Sequence, residues 1–267
     1  MKRLLAGLAS TLLVAGCAVS TQQEVNLGAG YSAQINAQLP IIQDPAANLY
    51  LTALGDSIAH LADTRNLTWH FYLVDDTTIN AFALPGGFIY VNRGLIAHAT
   101  RLDELAGAMG HEIGHVTERH TVKTMKKQQG AEVGIVGLCV VLGSCDNPLA
   151  ANAINVGTSA VFAKFSREDE AQADSDGVAN VIRAGISPEG MVDLFRVLLN
   201  ARQTAPSTVD AWFASHPMEE DRIAHVQALI ATYDPAVLKG LTTNTPAYDA
   251  FRKHVMSLPH VARPDGK

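Results

Sequence analysis

His111-Glu112-Ile113-Gly114-His115 is the segment whose residue types and spacing are best suited to chemistry. Residues four apart on a helix stand one turn above each other, so both imidazoles can reach one metal ion. Glu112, beside them, can take a proton from water held by that ion, which is how a metal site makes a nucleophile at neutral pH. A third ligand has to come from elsewhere. His120, five residues beyond His115, is rotated off their face of the helix. A carboxylate on a second helix is the common alternative. Ser166 to Asp174 supplies it, because Glu170 and Asp174 share one helical face with Val178 and Val181. Carboxylates on an apolar stripe are costly to bury unless a cation or a hydrogen-bond donor receives them. Glu170 is therefore assigned as the third ligand. Asp174 is assigned as the acceptor that fixes the tautomer of a ligand histidine, His111. Gly177, next to this face, lets another helix approach closely. Glu168 and Asp169 read as an exposed, charged helix start.

The elements that must position these groups are legible in the hydrophobic periodicity. Leu102, Leu105, Ala106, Met109, Ile113 and Val116 fall on one stripe, which predicts a helix over about 101–118, opened by a capping box at Thr100 to Asp103. A second helix is expected from about Arg167 to Ala184, stopped by Gly185. Asp44-Pro45 opens a helical stretch carrying Leu49, Leu51, Leu54, Ile58 and Leu61. Ser187-Pro188-Glu189 opens another, with Met191, Leu194, Phe195, Leu198 and Leu199 facing inward, and Pro217 begins one more. Three short runs, Trp69–Val74, Asn80–Leu84 and Phe88–Val91, read as strands, the last two joined by Pro85-Gly86-Gly87. The apolar segment 131–143 is too short to span a bilayer and reads as a buried helix or a flap over a cleft. The expected fold is α+β, mainly α-helical with a small three-stranded sheet, in one domain over 39–258 with a tail at 259–267.

Composition narrows the function classes. Of 267 residues 48% are hydrophobic, which excludes a disordered tail protein, and three cysteines exclude a disulfide-stapled scaffold. A formal charge of −6 without a lysine/arginine block argues against nucleic acid as a partner. Met1-Lys2-Arg3 and the apolar stretch Leu4 to Ala15 have the layout of a secretory signal. Its end, Leu13-Val14-Ala15-Gly16-Cys17, resembles the bacterial lipobox. That resemblance implies cleavage after residue 16 and a membrane anchor through lipidated Cys17. Ala18 in place of Asp favours the outer membrane, facing the periplasm. Residues 17–38, mostly small or polar, then read as a tether. Cys139 and Cys145 remain as a pair able to form a disulfide in an oxidising compartment.

Several further motifs fall in a recognisable order: Asn80 to Gly87, Asn92 to Leu95, His111 to His115, Ser166-Arg167 with Glu170 to Asp174 and Gly177, and Ser215-His216-Pro217 with Arg222. Over roughly residues 40–235 the chain resembles periplasmic zinc metalloproteases of the BepA and LoiP type, gluzincins of the HtpX/CAAX-prenyl-endopeptidase superfamily. Glu118 and Thr121 stand where a metzincin has Gly and His, which removes that subclass. Gln172 stands where the resembled family usually has Glu. The resemblance implies one Zn2+ per chain on His111, His115 and Glu170, with Glu112 as general base and then acid. It also implies a sheet edge at Asn80, Ala81, Phe82, Ala83 and Leu84 that holds substrate as an added strand, and His216 and Arg222 steadying the oxyanion. His216 has a second implied role, filling the fourth zinc position and keeping the enzyme latent. Unfolded or misassembled envelope proteins are the implied substrates, with outer-membrane assembly machinery as an implied partner. A chaperone or assembly factor with a purely structural zinc is the competing reading. Glu112 argues against it, since a structural site needs no general base.

Overall fold

A computed structural model describes residues 19–131, 164–217 and 220–264. Lys2, Arg3, Cys17, the apolar segment 132–143, Cys139 and Cys145 lie outside them, and so does everything expected of the signal, the lipid anchor, the flap and the disulfide. The elements run α1 (Thr21–Asn36), α2 (Pro45–Ala62), β1 (His70–Val74), β2 (Ala81–Leu84), β3 (Phe88–Asn92), α3 (Arg93–His98), α4 (Leu102–Thr117) and α5 (His120–Ala131). After the undescribed segment come α6 (Arg167–Arg183), α7 (Glu189–Thr204), a 3-10 turn (Pro206–Thr208), α8 (Asp210–Ser215), α9 (Glu220–Ile230), α10 (Pro235–Lys239) and α11 (Pro246–Ser257). This is the expected α+β architecture, mostly helical with one three-stranded sheet. Among the described residues no helix is long and apolar enough to cross a membrane.

The sheet has the order β1-β3-β2, with β1 parallel and β2 antiparallel to β3. Strand residues alternate between faces. Ile89 and Val91 of β3 therefore enter the main core with Leu51, Ile58, Leu73, Met109 and Val181, while Phe88 and Tyr90 join a smaller cluster with Phe82, Tyr31 and Ile35. Gly86 and Gly87, at φ +81° and +102°, make the turn between β2 and β3 in a region that L side chains rarely adopt. The Pro45 helix starts as the sequence predicts, with Asp44 accepting from Ala47 N–H at 2.8 Å. Its Leu49, expected on the inner stripe, is 73% exposed.

The tether expected over 17–38 is in its described part largely a helix. Ser20 caps α1, its Oγ accepting from Gln23 N–H while Gln23 Oε1 accepts from Ser20 N–H. The buried stripe of α1 is Glu24, Gly28, Tyr31, Ser32 and Ile35. Helical in spacing but nearly free of aliphatic residues, it gives no amphipathic signal to a composition-based reading. At its centre Glu24 is fully buried, 2.8 Å from Arg65 Nη1 and 2.6 Å from Arg119 Nε. Gly86 N–H also donates to it, and Arg65 reaches on to the carbonyl of Val116 at the end of α4. Glu24→Gln should therefore destabilise the protein by about 2–3 kcal/mol, less than a wholly buried pair because both arginines reach solvent. Urea unfolding reads this as a lowered midpoint; an unchanged midpoint would contradict it.

The C-terminal part departs from expectation too. Helices α3, α10 and α11 carry no strong sequence signal, yet Tyr248 of α11 donates to the carbonyl of Ala99 at 2.6 Å and Arg252 to those of Ile96 and Ala97. The tail expected from 259 is partly held, with His260 Nδ1 3.1 Å from Asp75.

Candidate metal centre

The helix carrying the histidine pair is buried on almost every side. At its N-terminus the Leu102 N–H donates to Asn244 Oδ1 and the Asp103 N–H to the carbonyl of Thr243, while Glu104 accepts from Thr100 Oγ1 and from the Arg101 N–H; the Asp103 carboxylate, the expected cap, instead pairs with Arg101 Nε at 3.0 Å. Across from it lies α6, capped by Ser166 and Asp169 reciprocally and ended at Gly185, which has φ +76°. Among the described residues these two helices form the most extensive helix pair. Gly177 sets how closely they approach, for a Cβ there would stand 3.1 Å from His111 N.

His111, His115, Glu170 and His216 converge with their ligand atoms all within 4.8 Å of one another, and each is buried. The separations are 3.0 Å between the two Nε2 atoms of His111 and His115, 3.3 Å from His115 Nε2 to Glu170 Oε1, and 3.6 Å from His111 Nε2 to Glu170 Oε2. His216 Nδ1 is 3.0 Å from Glu170 Oε1 and 3.3 Å from His111 Nε2. Ligands about 2.0–2.2 Å from a tetrahedral metal are separated by about 3.3 Å, so this spacing suits one ion.

Protonation strengthens that fit. His111 Nδ1 faces Asp174 Oδ1 at 2.8 Å, and a nitrogen held against a carboxylate carries the proton. The lone pair of His111 then lies on Nε2, directed at the other ligand atoms. Burial drives the His115 imidazole well below its ordinary pKa, which favours its neutral form. For Glu170, burial works against ionisation, but His216, His115 and His111 outweigh it and hold the carboxyl well below the usual range. A neutral imidazole at His115 and an ionised carboxylate at Glu170 are protonation states that metal binding requires.

Glu112 is buried beside the centre, with Oε1 3.3 Å from His216 Nε2 and no hydrogen bond to that oxygen among the described residues. Burial raises its carboxyl above the usual range, opposed by the neighbouring His216 and His111. His216 feels burial pulling its imidazole down, but Glu170 and Glu112 on either side raise it overall. It follows α8, whose Trp212 packs its ring 5.0 Å from the His216 ring.

Arg222, which the resemblance places at the oxyanion, is committed elsewhere. Its Nε and Nη2 hold both oxygens of Asp174 at 2.9 and 2.6 Å, and its Nη1 pairs with Glu170 Oε2. The guanidinium thus fixes the two carboxylates and has one face on Phe195, 4.6 Å from the ring centre. Ala81 to Leu84 form the edge strand β2, which packs against α4, with Asn80 just before it accepting from Asn92 N–H. All four strand residues are buried.

Two residues at the centre went unassigned in the sequence. Phe165 stacks on the His115 ring at 4.0 Å, and His120 Nδ1 lies 3.0 Å from His115 Nδ1. The sequence signal for His120 is its closeness to the motif, which a continued helix would cancel by turning the residue away.

Comparison with known proteins accords with this geometry. Residues 45–230 match the profile of peptidase family M48. The chain is 31% identical over 231 residues to a putative beta-barrel assembly-enhancing protease of Vibrio cholerae, covering 84% of this chain and 48% of that one. It is 30% identical over 233 residues to the beta-barrel assembly-enhancing protease of Escherichia coli K12, covering 84% and 47%. To the metalloprotease LoiP of the same organism it is 28% identical over 177 residues, covering 66% and 68%. The match thus spans about half the length of the first two relatives. A motif-bearing helix, a carboxylate helix packed on it and the matched span all coincide: the chain belongs to peptidase family M48.

Proposed function

We propose that the protein is a zinc-dependent endopeptidase acting on unfolded or misassembled proteins of the bacterial envelope. In this reading it is held at the outer membrane, facing the periplasm, through lipidated Cys17. The observation that carries the catalytic part is the pairing of a buried donor set, His111, His115 and Glu170, with a buried carboxylate, Glu112, that has an oxygen free of hydrogen bonds among the described residues. The envelope role is supported by the names of relatives that enhance β-barrel assembly and by the lipobox-like end of the leader.

His111 and His115 through Nε2, and Glu170 through its carboxylate, would hold the zinc. Bound there, zinc acidifies water and polarises the scissile carbonyl. Glu112 takes the proton of the attacking water and delivers it to the leaving nitrogen, a task suited to a carboxyl whose burial has raised its pKa. Asp174 and Arg222 keep His111 and Glu170 in place. Substrate would add to the edge of β2 as a strand, a mode that reads backbone more than side chains and so favours unfolded chains. The burial of β2 and the position of His216 among the donors fit a latent arrangement, in which His216 fills the fourth place until substrate arrives. His216→Ala should then raise cleavage.

The test is cleavage of a reduced, unfolded protein and of its native form by the full chain in detergent, before and after chelation. Cleavage of the unfolded form alone, lost on chelation and restored by zinc, is expected. Cleavage that survives metal removal would overturn the reading. Glu112→Gln separates it from a chaperone role, which that substitution should spare.

A further inference from the structure

We infer that His120 is the positioning residue for the metal ligand His115, and that a relay from Glu118 through Gln172 and His120 sets the tautomer in which His115 presents its lone pair. The inference rests on the proposed metal site and adds to it a residue that binds no metal itself.

The relay can be followed from its outer end. Glu118, the residue that ends α4, has its carboxylate 3.4 Å from Lys123 Nζ and can only accept hydrogen bonds. It accepts from the amide nitrogen of Gln172 on α6, which fixes that side chain's orientation. Gln172 Oε1 is thereby turned inward and stands 3.2 Å from His120 Nε2. Facing a carbonyl oxygen, with an oxygen of Asp169 a further negative neighbour at 3.6 Å, Nε2 carries the proton of His120. A neutral imidazole has one proton, so His120 Nδ1 is an acceptor. Its partner at 3.0 Å is His115 Nδ1, which must therefore donate, the two rings lying 74° apart. That leaves the lone pair of His115 on Nε2, the atom 3.0 Å from His111 Nε2 and 3.3 Å from Glu170.

Run in the opposite sense, the same contacts fail. A proton on His120 Nδ1 would set its Nε2 lone pair against the Gln172 carbonyl oxygen, and His115 would then carry its proton on the metal side. The two ligand histidines thus use different supports: an anionic carboxylate, Asp174, for His111, and an imidazole for His115. Ligand histidines are ordinarily fixed by a carboxylate, a carbonyl or water, and loss of such a support costs about 10- to 100-fold in metal affinity.

Two readouts test this on the full chain in detergent. Long-range proton–nitrogen correlation on histidine-labelled, metal-free protein reports which nitrogen of each ring is protonated. Zinc affinity by competition with a chromophoric chelator compares wild type with His120→Ala, His120→Asn and His120→Gln, and melting of the metal-free variants checks their folding. His115 should carry its proton on Nδ1 and His120 on Nε2. His120→Ala should bind zinc about 10- to 100-fold more weakly. His120→Asn sets an amide oxygen near the place of Nδ1 and should recover most of that loss, whereas His120→Gln, with its amide near the place of Nε2, should not. A proton on His120 Nδ1, wild-type affinity in His120→Ala, or no recovery by Asn in a folded variant would overturn the relay. Failure of wild type itself to take up zinc would overturn the metal site instead, and the tautomers, read without metal, would still judge the relay.

Discussion

Glu112→Gln should lower peptide-bond cleavage by at least about a hundredfold, the lower end of what a positioned general base contributes, while leaving metal binding intact. The amide keeps the size and burial of the carboxylate but cannot accept a proton from water. Glu112 is not among the four residues whose ligand atoms converge, so the donor set should survive. Its neighbour His216 is the one group expected to respond, since Glu112 Oε1 faces His216 Nε2 at 3.3 Å and helps raise the pKa of that imidazole. Initial rates on an unfolded protein, measured beside zinc content, check the pair of outcomes. Comparable rates in the two proteins at equal zinc content would remove Glu112 from the mechanism.

Arg222→Leu has the second large expected effect, and it falls on stability. Arg222 is buried and is held by two buried carboxylates, Asp174 and Glu170. Removing one partner of a buried ion pair leaves an uncompensated charge and costs about 3–5 kcal/mol. The sign of the pH dependence follows from Asp174. Burial alone would raise its carboxyl, but Arg222 and His111 outweigh this and lower it. A carboxyl with a lowered folded pKa contributes stability that is present above its unfolded pKa, near 3.9, and lost as pH falls through the folded value. The melting difference between wild type and variant, both metal-free, should be largest near neutrality and shrink below about pH 4. Equal melting near neutrality, or a difference independent of pH, would contradict this.

How much of the site is legible beforehand depends on how local its geometry is. His111 and His115 are related by one helical turn, and Glu170 and Asp174 by another, so each pair reads directly from spacing. The apolar stripes of α4 and α6 likewise predict that the two helices pack. His120 is different. Its position follows from a break that spacing does not display: α4 ends at Thr117, and Arg119 adopts φ +61°, redirecting the chain into α5. Extending the helical wheel from His115 turns His120 away, whereas the break brings it back onto the His115 ring. Arg222 shows a different limit. A family motif marks the residue, but only the packing of α9 on α6 reveals that its N–H edges are held by carboxylates and one face by an aromatic ring. Helix α1 leaves little trace in the hydrophobic pattern because its buried stripe is held by the ion pairs of Glu24 and by tyrosine and serine contacts rather than by aliphatic burial.

The most direct measurement is anomalous scattering at the zinc edge from crystals of the zinc-loaded protein. One peak per chain is expected, about 2.0–2.2 Å from His111 Nε2, His115 Nε2 and a Glu170 oxygen. A peak elsewhere, or a zinc-free site in crystals shown to contain zinc, would contradict the account.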